Sequence, residues 1–113
     1  MRIFAPLFAG LTLVAGNCFE HGEAWATQRA YALAKAEEVC QLKFSITGWA
    51  SGDIAGACYN LDSTKKVDFV LERVSSGDDE RPISAEECYD GFQKEINNCG
   101  KGGRTAYGNW AYT

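Results

Sequence analysis

Residues 84–113 read SAEECYDGFQKEINNCGKGGRTAYGNWAYT, and the fold turns on how this stretch divides. Its first half has the marks of a helix from Ser84 to Asn98. Ser84 is a good N-cap, Glu87 follows three positions on, and Ile83 before the cap is placed to pack on Cys88. Cys88, Phe92, Ile96 and Cys99 recur at helical spacing and share a face. Gly100 suits the C-cap. The second half, Gly102 to Tyr112, reads as one strand crowded with aromatics. A long connection through the helix lets it insert beside a strand that is not its sequence neighbour. Cys88 and Cys99 lie about 16 Å apart along such a helix. A disulfide needs Cα atoms within about 7 Å, so each must bond elsewhere and the two pin the helix at both ends.

Upstream, Glu23 to Cys40 is rich in alanine and free of Gly and Pro, which predicts a first helix. Trp25, Arg29, Ala32, Ala36, Val39 and Cys40 fall on one face, while Glu20 and Glu23 complement its positive start. Gln41 to Thr47 alternates: Leu42, Phe44 and Ile46 point one way, Lys43, Ser45 and Thr47 the other, the pattern of a half-buried strand. Gly48 to Gly56 is a loop holding Trp49 and Asp53. Ala57 to Leu61 and Lys66 to Val74 read as a hairpin around the turn Asp62-Ser63-Thr64, with Val67, Phe69 and Leu71 on one face. Ser75 to Pro82 is an acidic loop. The order α-β-β-β-α-β predicts an α+β sandwich of two helices and a four-stranded antiparallel sheet.

A positive Arg2, an apolar run from Ile3 to Val14 and the small residues Ala15-Gly16 mark residues 1–16 as a secretory signal. It is too short for a permanent membrane anchor, and residues 17–113 form a single domain. Losing Arg2 takes the eleven Lys and Arg to ten against fifteen Asp and Glu, a net charge of −5. An acidic surface argues against nucleic acid and anionic membranes as partners. The five cysteines Cys18, Cys40, Cys58, Cys88 and Cys99 all lie in the mature part. In a secreted domain they should form disulfides. The odd count leaves three alternatives: a free thiol, an intermolecular bridge in a homodimer, or a sixth cysteine beyond residue 113. With no CxxC pair and a single histidine, His21, a zinc site is a poor rival. No cofactor motif is present.

Catalytic constellations are scarce. One imidazole makes no acid–base pair. Glu37-Glu38 and Glu86-Glu87 are adjacent on helices and do not face each other. No GxSxG, HExxH or P-loop pattern occurs. The aromatics suggest binding instead. Flat rings stacked on sugars, with amides, carboxylates or Arg gripping hydroxyls, are what a glycan site needs. Trp49 with Asp53, in a loop too polar to bury a ring by pattern, is one candidate. Tyr107, Asn109 and Arg104 on the final strand are the other. Trp110 and Tyr112, two apart on one strand face, read more readily as core, since aromatics dominate core burial.

The whole pattern is similar to a group of small secreted fungal proteins. These share an Ala-rich helix ending in Cys (here Ala24 to Cys40), an ACYNL strand (Ala57 to Leu61), an SxEECxxxFxxxIxxC helix (Ser84 to Cys99) and a GGxxxYGxWxY strand (Gly102 to Tyr112). The group includes a mushroom glycan-binding lectin with an α/β sandwich and shades into killer-toxin-like proteins and plant-pathogen effectors. The resemblance implies an extracellular lectin without enzymatic activity that binds oligosaccharides or glycoprotein glycans. The runner-up is a toxin or effector acting on a membrane channel or host protein, for which Lys101 and Arg104 are the candidate exposed cations. A secreted ribonuclease is third. In that group the final strand runs on to an Asp-Pro-Asn turn and a last cysteine. Against it this sequence stops at Thr113, which implies a strand whose continuation is missing and one cysteine without its partner.

Overall fold

The structure is a computed structural model, and it describes residues 16–113. The expected signal segment falls almost wholly outside those residues. The described chain is α+β: two α-helices and a five-stranded antiparallel sheet, held by two disulfides. In chain order the elements are β1 (Gly16–Cys18), α1 (Arg29–Leu42), β2 (Ile54–Asn60), β3 (Lys66–Arg73), α2 (Ala85–Asn98), β4 (Gly103–Tyr107) and β5 (Trp110–Tyr112). The strands lie in the order β1-β4-β5-β3-β2. Both helices sit on one face of the sheet. The other face is open and carries Asn60, Lys66, Asp68, Glu72 and Arg104.

The strand count is five where the sequence predicts four, for two reasons. Residues 16–18 pair with the start of β4, Gly16 opposite Thr105 and Cys18 opposite Gly103, a strand too short to give a periodic signal. The aromatic stretch is not one strand but a hairpin. Gly108 takes φ +61°, so the chain reverses across Gly108 and Asn109 and brings Tyr107 opposite Trp110. Such left-handed φ is where glycine serves a two-residue hairpin. β5 then inserts between β4 and β3, as expected of the final strand, with Leu71 opposite Tyr112.

The predicted strand over 41–47 does not exist. α1 runs on to Leu42, the Lys43 N–H donates to the Val39 carbonyl at 3.0 Å, and Phe44–Ile46 is a 3-10 turn. The three alternating apolar residues go to different places: Phe44 is buried, but Leu42 and Ile46 are 67% and 71% exposed. An alternation of three residues was coincidence, and helix propagation from a well-packed α1 overrode it. The helix also starts later than Glu23. Trp25 is tied to the far side of the molecule, its Nε1–H donating to the Cys99 carbonyl at 2.8 Å and its backbone N–H to Gly100 at 3.0 Å. Ala26 then turns with φ +52°, so regular helix begins at Arg29. The expected buried face survives in Ala32, Ala36, Val39 and Cys40, all 0% exposed.

α2 matches its sequence signature. The Ser84 hydroxyl accepts from the Glu87 N–H at 3.0 Å, and Ile83 and Cys88 are both buried. Its C-cap is Cys99, not Gly100, in an extended conformation. The core runs through aromatic contacts: Phe92 meets Phe69 and Tyr112 edge-on with ring centroids 5.2 Å apart, and stacks on Phe44 at 5.9 Å. Cys40–Cys88 joins the end of α1 to the start of α2. Cys18–Cys99 joins β1 to the end of α2. Neither helix cysteine bonds the other, in line with their separation along the axis. Among the described residues Cys58, on the open face opposite Asp68, is the one exposed thiol without a bridge.

Candidate functional site: the groove between β4 and α2

The two clusters expected from sequence do not assemble as expected. Trp49 is 3% exposed, which overturns its reading as a surface ring. Its Nε1–H donates to the Phe44 carbonyl at 3.0 Å, and its ring packs edge-on against Trp110 with centroids 5.6 Å apart. Above it, Arg73 is 0% exposed, and four of its five N–H donors are hydrogen-bonded. Its guanidinium donates to the Trp49 carbonyl at 2.7 Å, the Asp79 carbonyl at 2.6 Å, the Asp79 carboxylate at 3.1 Å and the Ser75 hydroxyl at 3.1 Å. The glycine loop is therefore folded onto the sheet by a buried cation, a long-range arrangement with no local periodicity. Asp53 holds its own loop, accepting from the Ala50 N–H at 2.8 Å. Asp53 and Trp49 border a small hollow of about 200 Å³ beside Phe44 and Ile54.

The final-strand candidates are dispersed as well. Arg104 lies on the open face, paired with Glu72 at 3.2 Å. Asn109 sits in the hairpin turn, its carbonyl accepting from Val74 and Ser75. Trp110 and Tyr112 are core, at 0% and 1% exposure. Lys101 is exposed, its ammonium 3.3 Å from the Glu20 carbonyl. Tyr107 alone of the predicted residues opens onto a polar recess.

That recess, about 220 Å³, lies between β4 and α2 and is lined by Asn17, Cys18, Glu95, Asn98, Cys99, Thr105 and Tyr107. The register explains how they meet. Thr105 and Tyr107 are two apart on β4 and face the helix layer. Asn17 comes from the edge strand beside them, and Asn98 from the last turn of α2, which the Cys18–Cys99 bridge draws onto β1. Glu95, one turn earlier, is the centre of the group. Thr105 donates its hydroxyl to Oε1 at 2.9 Å and Tyr107 donates to Oε2 at 3.3 Å.

Glu95 is only 5% exposed. Burial raises its carboxyl above the usual glutamate range, and the Thr105 and Tyr107 hydroxyls pull it partly back. A buried carboxyl with two hydroxyl donors and no cation is unusual for a structural role alone, since buried charge is normally paired. Sequence reading missed Glu95 because it is one charged residue on a helix rich in them. The available signal was its place in the Cys88–Phe92–Ile96–Cys99 stripe, where a carboxylate breaks an otherwise apolar face. The Lys94 ammonium sits 4.7 Å from the Tyr107 ring centre and pairs with Asp90 at 2.9 Å, which fixes the ring's tilt. Across Glu95 from this groove opens a second cleft, of about 450 Å³, between β3 and the chain entering β4.

No protein-family model matches the chain, and a comparison with curated proteins finds none that matches. Among the described residues no three His, Cys, Asp or Glu side chains gather to hold a metal ion, and no helix is long and apolar enough to cross a membrane.

Proposed function

We propose that the protein is a secreted glycan-binding protein that acts without catalysis, and that its sugar sits in the groove between β4 and α2. The observation that carries this reading is the convergence there of two amides (Asn17, Asn98), two hydroxyls (Thr105, Tyr107) and a carboxylate (Glu95) beside an aromatic ring. Vicinal sugar hydroxyls each donate and accept, so they need planar amides and a carboxylate in register, with apolar area alongside. The two disulfides are those of an oxidising compartment, which with the leader-like residues 1–16 supports secretion. Cleavage of a glycosidic bond uses two carboxyl groups flanking it. The groove's lining offers one, which supports binding over hydrolysis.

A glycan array on the secreted protein, followed by titration of the best ligand, tests this. Tyr107→Ala and Asn98→Ala should each weaken binding about tenfold or more, the effect of losing roughly 1.4 kcal/mol, with the thermal transition kept. Binding undiminished in both variants would remove the site from this groove. Incubation with RNA should leave the RNA intact; cleavage abolished by His21→Ala would replace the binding reading with a ribonuclease.

A further inference from the structure

The two disulfides stand in opposite surroundings. Cys40 and Cys88 are both 0% exposed, in the core with Val39 and Phe92. Cys18 is an exposed residue of the sheet's outermost strand, and its Sγ lies 3.6 Å from the carbonyl of Asn98, a residue of the groove. Its partner Cys99 is 6% exposed. Access governs how fast a thiolate reaches a disulfide, and exposed bridges are the labile ones. A reductant therefore meets Cys18 on the intact fold, whereas Cys40–Cys88 is reached only when the core opens.

β1 has little but this bridge to hold it. It is three residues long and pairs on one side, with β4. Every residue from Asn17 to Ala24 is exposed, and none of their side chains belongs to the buried core. The other ties of the segment are hydrogen bonds at the surface. The Phe19 N–H donates to the Gly102 carbonyl at 2.8 Å, the Lys101 ammonium to the Glu20 carbonyl at 3.3 Å and the Lys65 ammonium to the Ala24 carbonyl at 3.0 Å. Each can be exchanged for a bond to water at small net cost. Trp25 is anchored separately, through its bonds to the Cys99 and Gly100 carbonyls, so release of the strand stops there.

The groove depends on that strand. Asn17 and Cys18 line it from β1, facing Glu95, Asn98, Thr105 and Tyr107 on α2 and β4. We propose that Cys18–Cys99 is a thiol-operated latch on the groove: an external thiol reduces it selectively, frees residues 17–24 and removes the Asn17 wall, while the domain stays folded around Cys40–Cys88. That opening the latch ends sugar binding rests on the glycan reading above; the opening itself does not. The chemistry is thiol–disulfide exchange. A thiolate of the reductant attacks Cys18 Sγ, the S–S bond breaks, and Cys99 leaves as a thiolate that takes up a proton. A second thiolate, the other arm of a dithiol or a second monothiol, attacks the mixed disulfide and frees Cys18. Two electrons pass to the protein, which gains two thiols, and the reductant ends as its own disulfide.

The test is a timed exposure of the full chain to dithiothreitol without denaturant, with acid quenching, alkylation and peptide mass spectrometry. Cys18 and Cys99 should become alkylated at least tenfold faster than Cys40 and Cys88. In the singly reduced protein, amide hydrogen exchange at Phe19 should accelerate at least tenfold while that at Val39 is unchanged. The double variant Cys18→Ser with Cys99→Ser should keep a cooperative thermal transition and match the reduced protein at Phe19. Reduction of Cys40–Cys88 first or at the same rate, a Phe19 amide still protected after reduction, or a double variant without a thermal transition would each overturn the latch. The best ligand from the glycan array should bind the oxidised protein at least tenfold more tightly than the double variant. Equal affinity would overturn the control of the groove and leave glycan binding standing. An array without a ligand for the oxidised protein would sink the glycan reading instead, with the latch still decided by labelling and exchange.

Discussion

Trp49 shows how far a single residue's environment departs from its sequence neighbourhood. Flanked by Gly48 and the polar run Ser51-Gly52-Asp53, it has nothing local to bury it. Phe44, Trp110 and the buried Arg73 do so from three other segments. Trp49→Ala should therefore destabilise the fold by about 3–5 kcal/mol, the usual range for truncating a large core aromatic, measurable as a lowered urea midpoint. A folded variant with an unchanged midpoint would contradict the burial. Glu95 gives a second prediction. Its folded-state carboxyl titrates above the ordinary value because burial disfavours the charge. The stabilising contribution of the protonated form is thus full below the ordinary glutamate range and is lost as pH rises through the raised value. Relative to wild type, Glu95→Gln should gain stability as pH rises from about 4 toward neutrality. A urea-denaturation series across pH checks this, and a pH-independent difference would show Glu95 ionising as it does in water.

At the scale of elements, α2 was legible because three independent signals agreed on it: the Ser84 cap, the staple and the apolar stripe. The β2–β3 hairpin was legible because Val67, Phe69 and Leu71 alternate long enough to fix a face, and the structure buries all three. The stretch 41–47 failed because three alternating residues fit a helix end as well as a strand. The aromatic end was half legible: its strand character and its non-local partner were readable, but its reversal at Gly108 left two short strands with no periodicity of their own. Gly91 is an instructive element-level case. Glycine inside a helix is worth about 1 kcal/mol less than alanine, so Gly91→Ala would stabilise an isolated α2. In the protein a methyl there would run into the Tyr112 ring. The variant should be destabilised, by about 1–3 kcal/mol as for other overpacked cores. A thermal transition raised by the substitution would mean that the helix and β5 can separate without loss.

The whole molecule is cross-linked at both ends of α2, which ties the two helices together at one end and the outer strand to the sheet's helix layer at the other. Replacing Cys40 and Cys88 together by serine opens a link spanning 48 residues, for which the chain-entropy model gives about 4 kcal/mol. A fall of that order in unfolding free energy is expected, and a fall well under 1 kcal/mol would show α1 and α2 held by packing alone.

Cys58 has a consequence for how those links form. Asp68 lies opposite it across the β2–β3 pair, and the carboxylate there raises the pKa of its thiol. Disulfide exchange proceeds through thiolates, so the fifth cysteine is a slow competitor once β2 and β3 have paired. Pairing of the hairpin should therefore slow exchange through Cys58 and limit mismatched bridges. At pH 8 iodoacetamide should alkylate Cys58 alone, more slowly than a free cysteine. In Asp68→Asn the labelling should accelerate, and mismatched bridges should accumulate during oxidative refolding, visible as extra non-reduced species by mass spectrometry.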